Sequence, residues 1–110
     1  MGLVQTENTM NKTSTNYQEG LIKDLTKPEE AAAYLNAALE DGSKDVFLMA
    51  LRDIAEAKGM AHLSARAKLN RVSLYRMLSR RGNPQLSSLT SILENAGLRL
   101  AVEVRHHRVA

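Results

Sequence analysis

Apolar residues return every three or four positions through most of the chain between residues 26 and 97, and a single segment near the end alternates instead. The first helical stripe is Ala31, Tyr34, Leu35 and Ala38. Ahead of it, Thr26 is placed as N-cap, Pro28 in the first turn and Glu29 as the capping-box acid, while Asp41 and Gly42 end the helix. Ser43 caps a second helix over 44–58, where Phe47, Ala50, Leu51, Ile54 and Ala55 recur at helical spacing and Gly59 supplies the stop. A shorter helix follows over 60–67, then a turn at 68–70, then a helix over 71–79. After the loop Arg80, Arg81, Gly82, residues Asn83 and Pro84 open a fifth helix through Leu86, Leu89, Ile92 and Leu93, closed by Gly97.

The alternating segment is LRLAVEV at 98–104, with Leu98, Leu100, Val102 and Val104 on one face and Arg99, Ala101 and Glu103 on the other. A lone strand leaves its backbone donors and acceptors unpaired. This one is therefore expected to pair with residues 21–25, with its own copy in a dimer, or with a partner protein. Residues 1–20 are polar, rich in Thr and Asn and without periodicity, which reads as a disordered leader. The expected organisation is a leader at 1–20, a domain at 21–104 and a basic tail at 105–110. The fold class is all-α, with five helices and a short C-terminal β-strand.

Residues 60–84 differ in kind from the helices before them. The stretch LNRVSLYRMLSRRGNP at 69–84 contains Arg71, Arg76, Arg80 and Arg81 and no acid, whereas a solvated helix usually mixes its charges. A helix-turn-helix needs two short helices that cross steeply, a small residue where their backbones approach, and apolar residues that seat both on a support helix. Ser64 is that small residue; Leu63 and Ala67 line the first helix, Leu69 plugs the turn, and Leu74, Met77 and Leu78 anchor the second. With these turned inward, Arg71, Val72, Tyr75 and Arg76 face outward.

Arginine offers guanine O6 and N7 a two-pronged donor and also neutralises phosphate, so arginines at the exposed start of the second helix suit the major groove. Arg71 and Arg76 are the expected base readers. Val72 is placed to touch a thymine methyl group, Asn70 and Ser73 to hydrogen-bond phosphate, and Tyr75 to do either. Arg80, Arg81 and the free amides at Asn83 are expected to grip the backbone. Lys68 takes the first turn position, where the backbone needs positive φ and a side chain costs about 1 kcal/mol, although its ammonium can reach phosphate.

Charge sharpens this division. The net +3 separates into −4 over residues 1–58 and +7 over residues 59–110. A polyanion is indicated for the basic half, and a basic partner is permitted on the acidic half. Dimerisation is expected, because one recognition helix covers few base pairs; the interface is sought at Leu98, Leu100, Val102 and Val104 and on the fifth helix.

Other chemistries find little support. The chain has no cysteine, hence no disulfide, thiolate metal site or cysteine nucleophile. No apolar run approaches the roughly 20 residues that cross a bilayer, and no signal-peptide pattern opens the chain, so a cytoplasmic protein without membrane contact is expected. His106 and His107 would point to opposite faces of a strand, and His62 has no carboxylate or serine at useful spacing. With no glycine-rich phosphate loop, HExxH or GxSxG, neither catalysis nor a metal or cofactor is expected.

Five stretches carry a family resemblance: EEAAAYLNAALEDG at 29–42, DIAEAKGM at 53–60, SLYRMLS at 73–79, GNPQLSSL at 82–89 and LENAGLRLAVEV at 93–104. Over roughly residues 21–104 the chain resembles the lambda-repressor-like helix-turn-helix proteins known as addiction-module antidotes, or HigA-type antitoxins. The resemblance implies a lambda-repressor-like fold and a transcriptional autorepressor that binds its own double-stranded DNA operator as a homodimer. It further implies the antitoxin of a type II toxin-antitoxin module, neutralising a small basic toxin of the RelE/HigB type. Lys68 stands where the family has glycine. Two further readings stay open: a stand-alone phage or plasmid repressor, and a protein-binding module without specific DNA binding. The acidic first helices, with Tyr34, would serve the latter.

Overall fold

Leu25 is only 2% exposed and sits in the core, yet it belongs to a helix that precedes the first one expected. The computed structural model describes residues 19–106. Six helices are seen among them: residues 19–25 (α1), Pro28–Asp41 (α2), Lys44–Lys58 (α3), Met60–Ala67 (α4), Arg71–Met77 (α5) and Leu86–Asn95 (α6). Residues 1–18, most of the expected leader, lie outside the described residues, as do 107–110 with His107; residues 19 and 20 are already helical.

The extra helix changes the count from five to six, and its reason is tertiary. Leu21 and Leu25, one turn apart, pack on the core while Ile22 stays exposed, and three apolar residues in so short a segment beside a polar run make no readable stripe. Thr26 is corrected as well. Its hydroxyl donates to the Lys23 carbonyl at 2.6 Å and helps to close α1, leaving Lys27 as the N-cap of α2 with no side-chain bond. Pro28 still opens α2, where a missing N–H is harmless.

α2 buries Ala31, Leu35 and Ala38 and ends at Gly42, whose φ of 78° lets its N–H turn back to Leu39. Ser43 then caps α3 by accepting from the Val46 amide, and α3 packs against α2 through a core that includes Leu51 and Ile54. α4 lies among α3, α5 and α6, with Leu63 fully buried.

Two boundaries move. α5 stops at Met77, short of Ser79, because the Ser79 amide and hydroxyl both turn to the Arg76 carbonyl, at 3.2 and 2.7 Å. α6 starts at Leu86 with Gln85 as N-cap, so Asn83 and Pro84 belong to the connection. Proline disfavours helical geometry in the residue before it, which excludes Asn83 from a helical first turn.

The C-terminal β-strand is also corrected: residues 98–106 form no strand in the single chain. Gly97, with φ 79°, redirects the backbone, the Leu98 amide bonds Leu93 O at 2.8 Å, and Leu98 packs on the core. Beyond it Leu100, Val102 and Val104 are 48, 99 and 80% exposed. A ladder needs a second backbone, and residues 21–25, once available for pairing, are consumed by α1. Among the described residues no helix is long and apolar enough to cross a membrane.

Candidate nucleic-acid interface

The pair α4 and α5 is held by a turn of three residues, Lys68, Leu69 and Asn70. Inside it, Leu63, Leu74 and Leu78 are buried, and Ala67, Leu69 and Met77 are half-buried. Ser64 organises the turn twice over. Its carbonyl accepts from the Lys68 and Leu69 amides, and its hydroxyl donates to the Leu69 carbonyl. Lys68 itself has φ 57° and ψ 38°, the left-handed conformation, and among the described residues no other non-glycine has positive φ.

At the start of α5, Asn70 is extended and its Oδ1 accepts from the Ser73 amide at 2.7 Å. That bond caps the helix through the side-chain oxygen and leaves the side-chain NH2, the donor that a phosphate contact needs. Arg71, Val72 and Arg76 are exposed, Val72 by 66%. Ser73 is half-buried. Tyr75 is less available than expected, since it is half-buried, packs against the core, and has the Arg52 guanidinium 5.3 Å from its ring centroid.

Arg80 and Arg81 follow α5 and are both exposed, but Arg80 reaches across to Asp45 at 3.4 Å. Asn83 is exposed, and with α6 starting at Leu86 it offers no helix N-terminus. Lys68, Arg71, Arg76, Arg80 and Arg81 therefore share one short reach of the fold, with Arg66 on α4 also exposed. Between Glu56 and Glu94 the chain has no acid, so the charged side chains of this stretch are all basic, and Asp45 of α3 is the acid that reaches one of them. Of the expected dimer residues, Leu98 is spent on the core, whereas Leu100, Val102 and Val104 stay exposed.

Two residues went unnoticed in the sequence. Arg52, on α3, braces Tyr75 while pairing with Glu56 at 3.2 Å, and Asp45, also on α3, holds Arg80. The Arg52–Glu56 pair is local, but the meetings of Arg52 with Tyr75 and of Asp45 with Arg80 have no local signal, because they arise only after α3 packs against the helices that follow.

A family model described as a probable addiction module antidote protein matches residues 17–104. The chain belongs to this family. A protein of Haemophilus influenzae described as uncharacterized is 34% identical over 83 residues, which is 76% of this chain and 86% of that protein. No solved structure matches. The antidote match takes in α1, α2 and the extended end at Val104 as well as α4 and α5. The similarity thus spans the described fold rather than two helices of it.

Proposed function

We propose that this antidote-family chain is the antitoxin of a type II toxin-antitoxin module, and that it represses its own operon by sequence-specific binding of operator DNA through α4 and α5. The observation that carries the reading is the exposure of Arg71, Val72 and Arg76 on one helix, next to a turn clamped by Ser64 and in a region with no acid between Glu56 and Glu94. A helix-turn-helix works in this way: the second helix enters the major groove and its first residues meet base edges. Arg71 and Arg76 act as base readers, Val72 touches a thymine methyl group, and Lys68, Arg80 and Arg81 neutralise phosphates.

The protein acts as a homodimer, with two α5 helices set for half-sites about 34 Å apart. Leu100, Val102 and Val104, exposed on an unpaired extended segment, supply the contact between copies. The neutralised partner is a small basic toxin of the RelE/HigB type, matched in charge by α2, which carries Glu29, Glu30, Glu40 and Asp41 and no basic residue.

The test is binding to a labelled duplex from the upstream region of the protein's own gene, against a scrambled duplex of equal length, at two salt concentrations. Preference for the native duplex that survives the higher salt is the expected result. Equal and salt-sensitive binding to both would overturn the repressor reading and leave a protein-binding module with a basic surface.

A further inference from the structure

α2 and α3 enclose a shallow groove of about 390 Å³ that the DNA-binding reading does not use. Buried Ala38 and Ala50 and exposed Ala37 line it together with Tyr34, Val46 and Met49, and its charged residues are Asp41 and Asp53. Met49 is 56% exposed and Val46 40%, so two large apolar side chains from adjoining turns of α3 face water side by side. Tyr34 is set in place by donating from its hydroxyl to Asp53 Oδ2 at 2.6 Å, which gives the groove one preformed wall.

From these features we infer that the groove is where the antidote receives its protein partner: a segment of a small basic protein that lays an apolar side chain between Val46 and Met49 and sets a Lys or Arg beside Asp41. The inference rests on the antidote reading above and assigns it a surface. The volume lies at the low end of the range for small-molecule sites, and the groove is open, which suits a side chain or two of a docking segment. DNA is a poor occupant, since the charges lining the groove are both carboxylates.

Charge complementarity selects the partner's sign. Glu40 and Asp41 stand in the last turn of α2, where the helix dipole is negative and the turn itself holds no base. A cation delivered by a partner relieves that repulsion, and the partner's apolar side chain displaces water from Val46 and Met49. Both contributions arise at one place, the mouth of the groove by Asp41.

The experiment titrates the full chain with the protein encoded by the neighbouring gene, by calorimetry, comparing wild type with Met49→Glu and Asp41→Lys. Both side chains lie outside the core, so both variants should fold, and Asp41→Lys should keep or raise the melting temperature because it suits the helix dipole. Binding at least tenfold weaker for Met49→Glu, and severalfold weaker for Asp41→Lys despite unreduced stability, is the expected result. Equal binding by wild type and both variants overturns the groove assignment and leaves the antidote reading standing. No binding by wild type overturns the antidote reading and the groove with it. If Met49→Glu splits a homodimer with partner affinity unchanged, the groove is a contact between copies and the inference fails.

Discussion

The guanidinium carbon of Arg52 stands 5.3 Å from the centre of the Tyr75 ring, joining α3 to α5 by a cation–π contact. Arg52 is further oriented by Glu56, one turn along the same helix. At a partly solvated site such a contact contributes about 0.5–1 kcal/mol. A double-mutant cycle with Arg52→Ala and Tyr75→Leu, measured by urea unfolding, should return a coupling energy of about that size. Strict additivity would mean that the guanidinium does not brace the ring.

Lys68 is strained by its left-handed backbone, with φ 57° and ψ 38°. Lys68→Gly should therefore stabilise the fold by about 1 kcal/mol, raising the melting temperature by roughly 4–8 °C. The same variant should weaken binding to every duplex and reduce the slope of log affinity against log salt by about one, as one phosphate contact is lost. Greater stability with an unchanged salt slope would remove Lys68 from the interface.

Gly82 is buried, and a Cβ there would run into the Met77 carbonyl. The connection from α5 thus passes too close to the helix end to carry any side chain. Gly82→Ala should cost about 1–3 kcal/mol, the usual range for overpacking, seen as a lower urea midpoint. An unchanged midpoint would show that the loop shifts freely.

The basic residues should divide by role on DNA. Arg71→Ala or Arg76→Ala should cost about 1–3 kcal/mol on a specific operator and relax the preference at one base. Arg81→Ala should weaken all duplexes alike and flatten the salt dependence. Arg80 is already paired with Asp45 at 3.4 Å, so Asp45→Asn should free it and tighten binding to specific and scrambled duplexes equally, by under about 1 kcal/mol. Gel-shift titrations of the variants against both duplexes test these assignments together. Undiminished operator affinity in Arg76→Ala would exclude that side chain from a base edge.

Most of the helices were legible because their causes are local. The stripe of Ala31, Leu35 and Ala38, the Ser43 cap and the glycine at 42 each act within a few residues, and all recur in the structure. The same holds for the positive φ at residue 68, expected of the first turn position between two such helices, and for the outward direction of Arg71, Val72 and Arg76, which follows from Leu74 and Leu78 facing in. Antidote-family membership was legible too, since its stretches are distributed along the chain.

What depended on remote partners was not legible. α1 exists because Leu25 finds a core built from later helices, and once it forms, Thr26 turns back to Lys23 and leaves α2 uncapped by a side chain. Arg52 and Asp45 acquire their meaning from Tyr75 and Arg80, to which no periodicity connects them. Alternation at 98–104 put Leu98, Leu100, Val102 and Val104 on one face, yet Leu98 packs on the core and residues 99–104 are exposed alike; sidedness, like pairing, needs a second backbone, and among the described residues none pairs with this segment. The sequence by itself thus determined where helices run and which side of α5 meets solvent, because the periodicity of a helix is written into neighbouring residues. Tertiary structure alone decided which exposed groups remain free, because hydrogen bonds and ion pairs depend on distances in space that sequence separation does not encode.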